Sequence, residues 1–285
     1  MTGKTSTFRL LIKHKAGLVG LIILGCFLVV AAFAPVFAPY NPNERVGTPF
    51  QPPSFSHLLG TNDIGQDILS EVIFGARISL LIGILSAAVS LVIGTIVGLS
   101  AGYLGGKTDI ILMRAVDLSL VIPMLPLMIL LAAFFGPSFW NIILVIGLLS
   151  WASPARVIRS QVLTVKNKGY VESVNVLGAS SWYTITRHIL PPTMSIIISQ
   201  LILMSSRAIL TEASLSFLGL GDPTKKSWGI ILYYAQARSA FLTDAWLWWI
   251  LPPGILITIL VISFAYIGNA LEEIVNPRLR RKELT

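Results

Sequence analysis

Six apolar runs, separated by short polar stretches, constrain this chain more than any other feature. They lie near residues 18–39, 78–102, 110–134, 139–156, 194–217 and 246–268. A helix crosses a hydrocarbon layer with about 20 mostly apolar residues. In lipid every backbone N–H and C=O must be paired within its own segment, so runs of this kind fold as helices. Charged residues are 12% of the chain, against about 25% in soluble domains. The sequence therefore reads as an all-α polytopic membrane protein with six transmembrane helices. The first run follows a basic start (Lys4, Arg9, Lys13, Lys15) and ends at Ala32-Phe33-Ala34, a pattern resembling a signal-peptide cleavage site. Its length and Pro35 just after the cut favour a retained helix.

Lysine and arginine set the orientation, because they concentrate on the cytoplasmic side of short loops. With the N-terminus in the cytoplasm, the inner segments carry those four basic residues and also Lys107, Arg114, Arg156, Arg159, Lys166, Lys168, Arg187, Arg278, Arg280, Arg281 and Lys282. The outer segments carry only Arg45, Arg77, Lys225, Lys226 and Arg238. Both termini are expected in the cytoplasm. The chain then divides into a cytoplasmic segment 1–17, a first helix 18–39, an extracytoplasmic segment 40–77 and a membrane core 78–268. That core holds a cytoplasmic loop 157–192 and an outer loop 218–245, and a cytoplasmic tail 269–285 follows it. This asymmetry accounts for the net charge of +8, so membrane lipid and no nucleic acid is expected as partner. The single cysteine, Cys26, allows no intrachain disulfide.

Three local patterns suggest chemistry and fail on context. AGYLGGKT, Ala101 to Thr108, nearly spells a phosphate-binding loop, but Ala101 stands where the motif needs glycine and a membrane helix precedes it. No cofactor is assigned to this chain. GLGD, Gly219 to Asp222, with Asp117 as a second carboxylate, matches an intramembrane aspartyl enzyme in which two acids share a proton. The polar run Pro223 to Ser227 makes Asp222 part of an aqueous loop. Asp117 is expected in the first two turns of the third span, toward the opposite side. GTNDIGQD, Gly60 to Asp67, has calcium-loop composition without the required order, and reads as a turn leading into the second span. His14, His57 and His188 show no metal-ligand spacing. A membrane-embedded aspartyl-type enzyme and a passive channel remain the alternatives from other classes.

The polar island YVESVNVLGASSWYTITRHILPP, Tyr170 to Pro192, is more structured than a connector requires. Val171, Val174 and Leu177 recur at helical spacing, and Glu172 falls in the first turn, where negative charge suits the helix dipole. Gly178 can end that helix in a left-handed conformation. Ser180 or Ser181 can cap a second helix carrying Trp182, Ile185 and Ile189, with Pro191-Pro192 closing it before the fifth span. The expected product is a helix–turn–helix across the membrane face, its first helix exposed to a partner.

Glu172, Gly178 and Leu190-Pro191 in this order resemble the EAA loop of transmembrane subunits of ATP-binding-cassette importers. Ser173 and Val174 stand where that loop commonly has alanines, and His188 stands where it has isoleucine, as in the peptide-importer branch. Three stretches resemble the same branch: HLLGTNDIGQDILSEVIFGARISL at 57–80, EASLSFLGLGDPTKKSWG at 212–229 and NPRLRRK at 276–282. Asn62, Gln66 and Glu71 depart from its usual Asp, Arg and Arg. The resemblance implies a type I ABC importer permease fold in the cell membrane and transport of dipeptides, oligopeptides or a related solute such as a nickel chelate. It implies a second paralogous permease, two ATPases that bind ATP and Mg, and an extracytoplasmic solute-binding protein. Glu172, Ser173, Val174, Leu177, Gly178, Ala179 and Pro191 would then form the ATPase-coupling segment. Among intramembrane polar residues, Arg207 is read as lining the path or pairing across subunits, Glu212 as a contact to the following loop, and Asp117 as a further candidate.

Overall fold

Two short helices, α1 (Thr7–Lys13) and α3 (Ala34–Phe37), flank the first apolar run, which forms α2 (Lys15–Ala32). The structure is a computed structural model that describes residues 7–275. Lys4 and the Asn276–Lys282 stretch lie outside the described residues. The chain continues through α4 (Ile68–Leu104), α5 (Gly106–Val121), α6 (Met124–Phe135), α7 (Phe139–Leu149), α8 (Ala152–Lys166), α9 (Gly169–Val176) and α10 (Ser181–Thr184). A π-helical turn, Ile185–Ile189, leads into α11 (Leu190–Phe217), and α12 (Trp228–Ala237), α13 (Trp246–Trp249) and α14 (Leu251–Val275) complete it. Four unbroken helical segments are long and apolar enough to cross a membrane, and the bent pairs α5–α6 and α7–α8 bring the spans to six.

The spans differ from the apolar runs where polar chemistry intervenes. α4 starts ten residues before the expected 78, because Asp67 caps it by accepting from the Ser70 N–H at 2.9 Å. Its polar Glu71 and Arg77 hide that first stretch from a hydropathy reading. The third span is not one helix over 110–134. Pro123 supplies no N–H and pushes Ile122 out of the helical region, to φ −67° and ψ 132°, and α5 and α6 meet at 84°. Asp117 consequently sits near the end of its helix, well past the first two turns. The fourth span bends by 44° at Ser150-Trp151, where Pro154 cannot donate to the Ser150 carbonyl.

Pro191-Pro192 do not close the second helix of the cytoplasmic island. The segment from Ser181 to Phe217 is one helical unit. The π turn absorbs the prolines by shifting the register, and the Leu190 N–H reaches the Ile185 carbonyl. The loop 157–192 is accordingly mostly helical, a continuation of α8 on one side and of α11 on the other.

α4 is the central post, packed against α8, α7, α11 and α12, while α11 packs on α14 and α14 on α2. Close approach to α8 depends on glycine. A Cβ on Gly98 would lie 2.7 Å from the Ala155 carbonyl oxygen, and one on Gly102 would lie 2.8 Å from Val162. At the end of the bundle carrying residues 40–67, α12 dips inward. Trp228 is fully buried there, and its indole N–H donates to the Val72 carbonyl at 2.9 Å. Lys226 joins the same end together, its ammonium reaching Glu71, Gln66 and the Pro42 carbonyl.

Candidate functional site

At the opposite end of the bundle, α9 and α10 form a hairpin that is fastened on one side and bare on the other. Glu172 lies in the first turn of α9. Gly178 adopts φ +80°, and the Gly178 and Ala179 N–H groups reach back to the Asn175 and Val174 carbonyls, which stops the helix sharply. Ser180 caps α10 by accepting from the Tyr183 N–H at 3.3 Å. Ser173 donates its hydroxyl to the Gly169 carbonyl at 2.9 Å.

The fastening combines Val171 and Ile189, whose helical spacing is legible in the sequence, with residues that carry no local signature. Val171 is fully buried in a cluster with Ile158, Val162, Val165 and Ile189. The Asn175 side-chain oxygen accepts from the Tyr103 hydroxyl at 3.3 Å and the Thr184 hydroxyl at 3.2 Å, tying α9 to the end of α4 and to α10. Lys166 donates to the Tyr103 carbonyl at 2.6 Å. The His188 ring sits between Tyr170 and Tyr183, with centroids 6.5 and 5.5 Å away. These ties join residues up to 72 positions apart, so no local pattern announces them. Val176, Leu177 and Trp182 are 87%, 85% and 76% exposed. Contiguous exposed apolar side chains are characteristic of surfaces that contact protein or membrane.

Residues 90–281 match the family described as binding-protein-dependent transport system inner membrane component. The chain belongs to this family of ABC importer permeases. Residues 5–53 match the N-terminal TM domain of oligopeptide transport permease C. A putative peptide transport system permease protein of Brucella abortus is 37% identical over 276 residues, covering 96% of this chain and 92% of that protein. The dipeptide transport system permease protein DppC of Bacillus subtilis is 36% identical, covering 96% and 85%. The oligopeptide transport system permease protein OppC of the same organism is 36% identical over 271 residues, covering 94% and 88%.

Within the permease, the intramembrane ionisable residues fall in three separate places. Glu212 is fully buried and accepts from the hydroxyls of Ser216 at 2.7 Å and Ser227 at 2.6 Å, the second lying beyond the Leu218 turn. Asp117 pairs with Arg156 of α8 at 2.5 Å, both about half exposed. Arg207 is exposed at the wall of a cavity between α4, α6 and α11. Asp222 lies elsewhere again, accepting from the Phe139 N–H at 3.1 Å at the start of α7. Burial alone pushes its carboxyl up. The Thr224 hydroxyl and N–H, the Phe139 N–H and Lys225 outweigh that and hold it below the usual carboxylate range. Asp117 and Asp222 therefore share no proton and form no catalytic dyad. Among the described residues no three His, Cys, Asp or Glu side chains converge as metal ligands.

Proposed function

We propose that this chain is one permease of an ATP-driven, binding-protein-dependent importer of dipeptides or oligopeptides, and that α9–α10 is the segment through which partner ATPases drive it. The observation that carries the reading is the hairpin itself, with Val176, Leu177 and Trp182 uncovered above a fully anchored Val171 and Asn175. Its continuity with α11 supports a lever. A push on α9 travels through the π turn into a helix that spans the bundle, and helices of fixed shape switch as rigid bodies. The relatives named as dipeptide and oligopeptide permeases support the solute class.

In this reading the hairpin faces the cytoplasm, as do both termini. A second, paralogous permease completes the path, two ATPase subunits bind ATP and Mg, and a solute-binding protein delivers peptide on the outer side. Glu172, Ser173, Gly178 and Ala179 lie at the ATPase contact, and Pro191 sits at the join to the lever. This chain carries out no hydrolysis. Gentle detergent extraction from the native membrane, followed by mass identification of the co-purifying chains, tests the assembly. A second permease and ATPase subunits in fixed ratio are expected. Recovery of the chain alone after crosslinking would remove the reading and favour a passive channel, which conducts in liposomes without ATP.

A further inference from the structure

Both broken spans bend beside the same open-sided cavity, of about 280 Å³. Met124 and Met128 from α6 line it next to the Pro123 bend, and Ser150 lines it at the break between α7 and α8. Ser86 and Ser90 of α4 border it from a third side and Arg207 of α11 from a fourth. Thr211 on its wall donates to the Arg207 carbonyl at 2.9 Å, but two hydroxyls here lack such a partner. Ser199, Ser205 and Ser214 of α11 each donate to the carbonyl one turn back. The buried hydroxyls of Ser86 and Ser90 make no hydrogen bond among the described residues, and a buried polar group left so is costly unless something else pairs with it. Arg207 enters no ion pair among the described residues. Glu272 of the neighbouring α14 lies near enough for charge interaction with Arg207, but its carboxylate accepts from the Gln200 amide at 2.9 Å and makes no direct ion pair with the guanidinium. A cation with no directly bound counter-ion at a cavity inside a membrane span is a feature of solute and ion pathways.

We infer that this cavity is a subsite in the translocation path that grips the free carboxylate of the passing solute. Arg207 supplies the charge, Ser86 and Ser90 supply hydroxyl donors, and the two flexible methionines accommodate varied side chains. This deepens the peptide-import reading and rests on it.

The test uses the complete importer, co-purified with its partners and reconstituted in proteoliposomes, and compares tri-alanine with tri-alaninamide. Arg207→Gln should lower tri-alanine import about tenfold relative to tri-alaninamide import, the effect of losing one charge-assisted hydrogen bond. The binding protein is the same in both preparations, so the shift in acid-to-amide ratio belongs to the permease. Arg207→Lys should restore most of the preference. An unchanged ratio in Arg207→Gln overturns the subsite. Should that variant fail to assemble, the double variant Ser86→Ala/Ser90→Ala, which removes no charge, must lower the ratio by itself, and an unaltered ratio there overturns the subsite equally. Failure of the wild-type assembly to import either compound is a different result and overturns the peptide reading beneath it.

Discussion

Gly178 shows how much a single residue's chemistry can decide at the coupling hairpin. Its φ of +80° lies in the left-handed region, where a Cβ costs about 1–2 kcal/mol. Nothing stands within 4 Å of the place such a Cβ would occupy, so a Cβ meets no steric neighbour in this chain. The two effects separate cleanly. Gly178→Asn, a residue that tolerates this backbone, should keep most transport and ATPase coupling. Gly178→Val should reach the membrane in normal amount and lose most of both, because the turn that aims Leu177 and Ala179 must rearrange. Equal activity of the two variants, measured as ATPase stimulation in the purified complex, would refute a conformational role. The buried outer network carries a different lesson. Sequence alone left Gln66 and Glu71 as departures from a familiar pattern without a partner, and the partner is Lys226, 155 positions beyond Glu71. Breaking one side of a buried pair costs several times what the pair contributes when intact, so Glu71 and Lys226 are read as one unit.

α4 meets α8 through a row of glycines, and on its other side Gly83 and Gly75 receive Ile209 of α11 and Trp228 of α12. Gly94, Gly98 and Gly102 form a smooth ridge at four-residue spacing, and a Cβ on any of them would come within 3 Å of α8 atoms. Gly98→Leu should therefore destabilise the protein by at least about 1–3 kcal/mol, read as a lower Tm in detergent. Gly254→Ala on α14, where nothing lies within 4 Å, should be neutral or gain up to about 1 kcal/mol in helix propensity. Similar Tm values for both would mean that α4 and α8 are not in close register. A four-residue glycine spacing is local, whereas its target is not, because a small-residue ridge specifies closeness and no particular neighbour. The same limit applies along the chain. Caps and turns such as Gly178 and Ser180 are local and readable from composition. The bend at Pro123 was equally local but lay masked inside a run of apolar residues. Pro191-Pro192 look like a stop signal, and act as one in an α-register. A π turn carries the helix past them. Asn175, Tyr103 and Lys166, which fasten the hairpin, belong to pairings between distant segments that hydropathy does not encode.

Across the whole molecule, charge and architecture point the same way. Lys107, Lys166, Lys168 and Arg187 gather at the end bearing the hairpin, with Lys166 holding the Tyr103 carbonyl and Lys168 leading into α9. The other end carries Arg45, Arg77, Lys225, Lys226 and Arg238, of which Arg238 pairs with Asp63 at 2.8 Å and Lys226 with Glu71. Lysine and arginine in short loops are retained on the cytoplasmic side during insertion, so the hairpin end should face the cytoplasm. The lone Cys26 makes this directly measurable. In a Cys26→Ser background, a cysteine replacing Phe55, which is fully exposed, should react with a membrane-impermeant maleimide applied to intact spheroplasts. A cysteine replacing Lys107, exposed at the hairpin end but outside the Val176–Trp182 patch, should react only after lysis. The choice of Lys107 matters, since a bound ATPase would shield the patch and mimic protection by the bilayer. The reverse labelling pattern would turn α9 away from any cytoplasmic ATPase. It would leave the fold and family intact while removing the coupling mechanism, since the lever from α9 to α11 would then have nothing to push it.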